Sequence, residues 1–511
     1  MVVIGLDVGD GRLIVEWARE GRLPVLGSLI DRGRWRWLDT TADTLHTSAW
    51  PSLFTGVPPG EHGVYYTFQP APGRQGYQKF RGDQYGRPTF WNLLSRGGVR
   101  CLVFDAPYTH PEEGSRAAQV FDWGTWAHYW RPMSRPAQLI RRLDRVRGPY
   151  PLGFQALDIG LEPLDPGILQ EPLQRSARAK AEATTWLMGE TAWDLLLAVF
   201  GETHAGAHYL WDPSEDARGS GQGRLRALYE EIDRGIGAIR DAAGADTPLV
   251  VLSGDGVDTT RAAWHLLPEV LRRLGYLAEP SAGGSGSGNA SAGGSSRPSL
   301  TGSLRDAIPE DLRKALARRI PDSVRYRLAS RVQRARIDWS RTRAYCLPTD
   351  LEGCVRINLR GREPAGIVAP GEEYRSVCGE LAADLARLTD AVTGRPVVRS
   401  VVLADEAFPG PRRHYLPDLV VLWERSSPLT GLSSPGIGTV AGPSPDGRPG
   451  THSPPGFFLS DGTLDLQGWG EETTHVCDIA PWLLSRFGVE VPDHMARDLA
   501  GRRARNREGI S

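Results

Sequence analysis

Two histidines four residues apart, His204 and His208, stand in Gly201-Glu202-Thr203-His204-Ala205-Gly206-Ala207-His208-Tyr209-Leu210-Trp211, directly after the apolar run Leu195-Leu196-Leu197-Ala198-Val199-Phe200. On a helical turn an i,i+4 pair shares one face, so both imidazoles can point at one metal ion. The competing role for such a pair is a turn cap plus a hydrogen-bonded core histidine. The rest of the chain has to decide.

The residues that can join the pair lie at the ends of other apolar runs. Val2 to Leu6 reads as a strand buried on both faces and ends in Asp7; Pro248 to Leu252 reads the same way and leads through Ser253-Gly254 to Asp255. His62 sits in a turn that closes on Gly63, and His452 lies in Gly450-Thr451-His452, within a long Pro/Gly/Ser loop that follows the last clear strand, Pro417 to Trp423. Between Thr44 and Thr55, hydroxyl residues precede an apolar helical patch. This suits a helix cap, and equally suits a hydroxyl and free N–H groups offered to an anion.

Helical spacing in Leu225, Leu228, Ile232, Ile236 and Ile239, and helices read at Phe90 to Leu94, Arg178 to Glu190, His265 to Leu274 and Tyr374 to Leu388, alternate with strands at Val99 to Asp105 and Val355 to Leu359. This alternation predicts an α/β fold: a mostly parallel central sheet with helices on both faces. In such sheets the ligand site lies at the carboxyl ends of the strands, which gathers Asp7, His204, His208 and Asp255 on one edge, with His62 and His452 supplied by loops. Oxygen and nitrogen ligands of this kind suit zinc, manganese or magnesium.

Residues 1–280 read as the first part of the α/β domain, with a cap-like insertion at about 123–176 where periodicity is poor. Residues 281–299 are a Gly/Ser-rich flexible linker, and 300–511 hold an arginine-rich helical segment and the remainder of the domain. The 60 basic and 61 acidic residues leave a formal charge of -1, which argues against nucleic acid or an anionic membrane as partner. Five cysteines without a Cys-x-x-Cys pair, no signal-like start and no membrane-length apolar stretch point to a cytoplasmic protein. Oligomeric state is not legible.

Several stretches together resemble the alkaline phosphatase superfamily, in its type I phosphodiesterase and nucleotide pyrophosphatase branch. They are Val3-Ile4-Gly5-Leu6-Asp7, Trp50 through Thr55-Gly56 with Pro59-Gly60-Glu61-His62-Gly63, the Glu202 to Trp211 segment, Ile357 to Pro364, Gly450-Thr451-His452 and Asp478-Ile479-Ala480-Pro481. The resemblance spans about 1–111, 193–276 and 345–501. It implies two neighbouring metal ions and a Ser or Thr nucleophile phosphorylated during turnover, with Asp7 as the first metal aspartate, His208 and His452 as ligands of the partner metal and the nucleophile near Thr47.

The chain departs from that pattern at three places. His204 stands where the pattern has Asp, Gly254-Asp255-Gly256 replaces Asp-His-Gly, and the nucleophile register falls on His46, with Thr47 one residue later. Imidazoles in place of carboxylates favour a zinc-like ion at His204, His208 and His452, leaving Asp7, Asp255 and Thr47 for a weakly held second ion (zinc, manganese or magnesium). The expected function is metal-dependent hydrolysis of a small phosphate ester, foremost a phosphodiester or nucleotide-like pyrophosphate, with Thr47 or a metal-bound hydroxide as nucleophile. The alternatives are a member that binds metal or a phosphorylated ligand without turnover, and a sulfatase, phosphonate hydrolase, phosphotransferase or mutase.

Overall fold

The computed structural model describes residues 1–71, 73–112, 116–125, 132–152, 165–214, 222–280, 337–424, 429–442, 444, 447–464, 466, 469 and 473–495. The expected linker at 281–299 and the arginine-rich segment running on to 336 lie outside the described residues.

Val2–Leu6 is a strand buried along its whole length, paired in parallel with Leu195–Phe200 on one side and Leu249–Ser253 on the other. Its alternate residues enter two cores: Val2, Ile4 and Leu6 meet Leu13, Trp17, Ile232 and Ile236, whereas Val3 meets Trp50, Phe54 and Trp91. That double burial is why the run is apolar without alternation. The sheet has nine strands in the order Thr473–His475, Arg34–Asp39, Gly456–Ser460, Leu249–Ser253, Val2–Leu6, Leu195–Phe200, Cys101–Phe104, Ala118–Phe121, Met133–Arg135. Its centre is parallel; Gly456–Ser460 and the edge strand Met133–Arg135 run antiparallel to their neighbours. Within 123–176, the described residues supply that edge strand and the helix Gln138–Arg147, whose Leu139, Ile140 and Leu143 join the main core.

Val355 to Leu359 and Pro417 to Trp423, expected as part of the same α/β progression, instead contribute Gly353–Ile357 and Leu419–Trp423 to a separate antiparallel sheet with Ala344–Cys346 and Val398–Leu403. Short apolar runs carry no mark of which sheet they join. This second sheet packs the helices Leu267–Arg273 and Glu372–Ala386 into a core of its own. Pro417 to Trp423 is also not the last strand: Gly450-Thr451-His452, read as loop, belongs to the strand Gly450–Ser453, antiparallel to Gly256–Thr259. The turn residues around it, Pro449, Pro454, Pro455 and Gly456, mask a strand of four residues. All five cysteines are free thiols. Among the described residues no helix is long and apolar enough to cross a membrane.

Candidate metal centre

The strand Leu195–Phe200 ends at the carboxyl edge of the sheet, and the helix Glu202–Tyr209 starts one residue later with every residue buried. Its spacing brings His204 and His208 together, with their Nε2 atoms 2.9 Å apart. His452 arrives from the Gly450–Ser453 strand, held in register by pairing with Val257. That strand lies so close to the helix that a Cβ at position 450 would sit 1.9 Å from Ala207 O, so glycine is required there. The close approach also lets Gly450 O accept a hydrogen bond of 2.8 Å from His208 Nδ1. One ring nitrogen from each of His204, His208 and His452 lies within 4.8 Å of the others.

The other nitrogen of each ring is already committed. His204 Nδ1 donates to Asp7 Oδ2 at 2.8 Å and His452 Nδ1 to Asp255 Oδ2 at 2.6 Å, completing with Gly450 O a set of three acceptors behind three imidazoles. Nε2 is therefore the atom each ring can offer to a metal, and a carboxylate or carbonyl behind Nδ1 is the usual support of a metal-binding histidine. Burial, reinforced by nearby cationic groups, pushes His204 and His208 well below the ordinary histidine value, which leaves both imidazoles neutral. Three pre-oriented imidazole nitrogens fit a zinc-like ion.

Asp7 and Asp255, expected as ligands, are placed behind the rings. Asp7 Oδ1 accepts from Trp50 Nε1 at 2.7 Å while Oδ2 serves His204, so both of its oxygens are engaged. Burial raises the Asp7 carboxyl to about 6, against the opposing Trp50 hydrogen bond and the charge of His452. Val8, next in the chain, has φ 58°, a left-handed conformation costly for a β-branched residue and a sign that the turn at Asp7 is imposed by its surroundings.

His46 and Thr47 open the short 3-10 turn ahead of the helix Ala49–Thr55. The His46 ring lies 4.6 Å from that of His452, and Thr47 Oγ1 is 3.0 Å from His46 Nε2, which puts His46 beside the triad and Thr47 next to His46. Sequence reasoning missed what surrounds them. The hairpin before Gly353–Ile357 carries Glu352, whose Oε2 accepts from His46 Nδ1 at 2.8 Å, and Asp350, whose Oδ1 lies 3.0 Å from His46 Nε2. The Asp350 contact is an ion pair without hydrogen-bond alignment, so the Nε2 hydrogen is directed at Thr47. Burial works against a charged His46, but Glu352 and Asp350 outweigh it and push the ring up to about 10. Arg448, also missed, places Nη1 3.3 Å from His208 Nε2 and Nη2 3.0 Å from Asp350 Oδ2. No local pattern marks these three residues, because Glu352 meets His46 across 306 positions of chain.

His62 and His265 are bonded within the scaffold. His62 Nε2 meets Ser52 Oγ at 3.0 Å and its Nδ1 accepts from Val64 N, with burial alone lowering the ring to about 3. His265 Nε2 meets Gly442 O at 3.1 Å. A cleft bordered by Arg261, Arg399 and Trp423 reaches His452 and Glu352 between the Gly256–Thr259/Gly450–Ser453 strand pair and the second sheet.

In the same overall arrangement are crystal structures of phosphonoacetate hydrolase from Sinorhizobium meliloti 1021. Its complex with phosphonoacetate has a TM-score of 0.52 at 12% identity over 96% of this chain and 95% of that one. The complex with phosphonoformate gives 0.51 at the same identity and coverage. Murine ectonucleotide pyrophosphatase / phosphodiesterase 5 gives 0.49 at 11% identity over 96% of each chain. At such identities the likeness concerns the fold. No curated protein matches the sequence. A sequence model described as type I phosphodiesterase / nucleotide pyrophosphatase matches residues 1–457 of the 511, and the chain belongs to that family.

Proposed function

We propose that the protein is a metal-dependent hydrolase of small phosphate esters, acting foremost on phosphodiesters or nucleotide-like pyrophosphates at a single zinc-type centre. One observation carries this reading: His204, His208 and His452 each have Nδ1 tied to an acceptor and Nε2 turned to a common point. A divalent ion bound there supplies Lewis acidity to a phosphoryl oxygen and to the attacking hydroxyl. Thr47 Oγ1 is the nucleophile: its hydroxyl gives up its proton to solvent as the oxygen bonds to phosphorus, the bond to the leaving group breaks with the leaving oxygen protonated by water, and a second water then cleaves the phosphothreonine, restoring the hydroxyl. His46 is not the nucleophile, since Glu352 and Thr47 occupy its two nitrogens; it orients the Thr47 oxygen by donating to it. The cleft beside His452 receives the leaving group.

Purified protein is first measured for bound metal, then assayed with zinc or manganese on bis-p-nitrophenyl phosphate, p-nitrophenyl phosphate and a sulfate ester. Turnover of the diester above the others is expected. Failure of metal-loaded protein to turn over any ester would favour the alternative, a member that binds its ligand without catalysis; the hydrogen bonds of Asp7 Oδ2 to His204 and of Asp255 Oδ2 to His452 are the observation that supports it. Thr47→Ala is expected to remove activity while metal content stays unchanged, with His46→Ala retaining a fraction. Activity kept in both variants rules out covalent catalysis from this turn.

A further inference from the structure

Arg448 is a cation set against the metal-binding face. Its side chain is 4% exposed. Nη1 lies 3.3 Å from the one nitrogen of His208 that looks into the triad, and Nη2 lies 3.0 Å from Asp350 Oδ2. The triad has no need of it for support, because Gly450 O already holds His208 Nδ1. A guanidinium beside a bound divalent ion is repulsive on its own. The arrangement becomes favourable once an anion lies between the two, and a phosphoryl group, with several oxygens facing a forked donor, is the anion whose shape fits. Two-metal ester hydrolysis places two positive centres on the phosphoryl group. Here the carboxylates a second ion would need are bonded to Trp50, His204 and His452.

We propose that Arg448, tethered by Asp350, is the second cationic clamp on the substrate's phosphoryl oxygens, in the role a second metal ion would fill. The protein then works with one metal per chain, and metal and oxyanion strengthen each other's binding. This rests on the metal-hydrolase reading for the first of the two charges. Arg448 is a catalytic residue in this scheme and Asp350 a positioning residue.

The test is calorimetric titration of zinc into the metal-free full-length chain, with and without phenylphosphonate, followed by titration of phenylphosphonate into the zinc-loaded chain, for wild type, Arg448→Met and Arg448→Lys. Wild type should bind one zinc and bind it more tightly with the phosphonate present. Arg448→Met should keep one zinc, bind phenylphosphonate about 10- to 100-fold more weakly, as expected for the loss of a charge-assisted contact, and lose the mutual strengthening. Arg448→Lys should recover part of the affinity as a point charge without the fork. Two zinc ions per wild-type chain, or wild-type phosphonate affinity in Arg448→Met, overturns the clamp and leaves the metal-hydrolase reading standing. A wild-type chain that binds no zinc takes down both. If Arg448→Met does not fold, Asp350→Asn decides: unchanged zinc stoichiometry with several-fold weaker phosphonate binding supports the tether, and unchanged phosphonate binding overturns it.

Discussion

Two buried polar clusters in this molecule are wired in opposite ways. In the second sheet, Arg356 Nε meets Glu363 Oε1 at 2.7 Å while its other nitrogens donate to Leu416 O and His414 O, and Arg362 forks onto both oxygens of Asp418 at 2.7 and 2.6 Å. Asp418 also accepts from Ile357 N and Tyr374 Oη. Donors meet acceptors at each of these contacts, and the network joins the strand Gly353–Ile357 to the chain at 414–418. At the carboxyl edge of the large sheet, the outer nitrogens of His204, His208 and His452 are tied to oxygen acceptors, and the inner ones of His204 and His208 face one another with Arg448 beside His208. Burial alone does not separate a scaffold from a site. The separation lies in whether like groups are brought together, because ring nitrogens sharing one small space are arranged for something other than each other.

The largest effect should follow from breaking the inner arrangement. Combined His204→Ala and His208→Ala substitution is expected to bring both bound zinc and ester hydrolysis to background, read by elemental analysis and by the diester assay. Metal content that survives the double substitution contradicts the assignment of the triad. The counterpart on the scaffold side is Asp418→Asn, which leaves Arg362 with Glu363 as its carboxylate partner and should cost roughly 1–3 kcal/mol in urea unfolding with zinc content of the folded protein unchanged. The sign of its pH dependence is also fixed. Burial opposes the charged form of Asp418, but Arg362 prevails and holds the carboxyl below its ordinary value. Its contribution is therefore complete above the unfolded carboxylate value of about 4 and is lost as pH falls through the lower folded value. Wild type should lose stability across that acid window, and Asp418→Asn should show a flatter profile there.

The contrast also explains what could be read from sequence. The central strands announce themselves because burial on two faces demands unbroken apolar runs, and Asp7, His204 and Asp255 follow directly from where those runs stop. Arg34–Asp39 escaped notice because Arg34, Trp35, Arg36 and Trp37 are exposed or half-buried and carry no apolar run. His452 was legible as a companion of His204 and His208 and illegible as a strand residue, hidden among turn-forming neighbours. Asp350, Glu352 and Arg448 were not legible at all. They act through contacts made by a second sheet folding against the first, and nothing in Pro348-Thr349-Asp350-Leu351-Glu352 distinguishes a hairpin that meets solvent from one that brackets His46.

A smaller effect would sharpen the boundary between holding a metal and holding a histidine. Asp255 was expected to ligate a second ion, whereas its Oδ2 accepts from His452 Nδ1 at 2.6 Å. Asp255→Asn preserves the shape and an acceptor oxygen but removes the negative charge behind the His452 ring. For a supporting partner of this kind zinc affinity should fall by about 10- to 100-fold with stoichiometry fixed at one per chain. Were Asp255 a direct ligand of a second ion, the same substitution would lower the stoichiometry and leave the tighter site's affinity unchanged. A zinc titration on the metal-free variant distinguishes the two without any assay of activity. The same logic extends to Asp7→Asn, with one difference. Trp50 Nε1 also depends on that carboxylate, so some stability should be lost along with affinity, whereas Asp255→Asn should spare the fold.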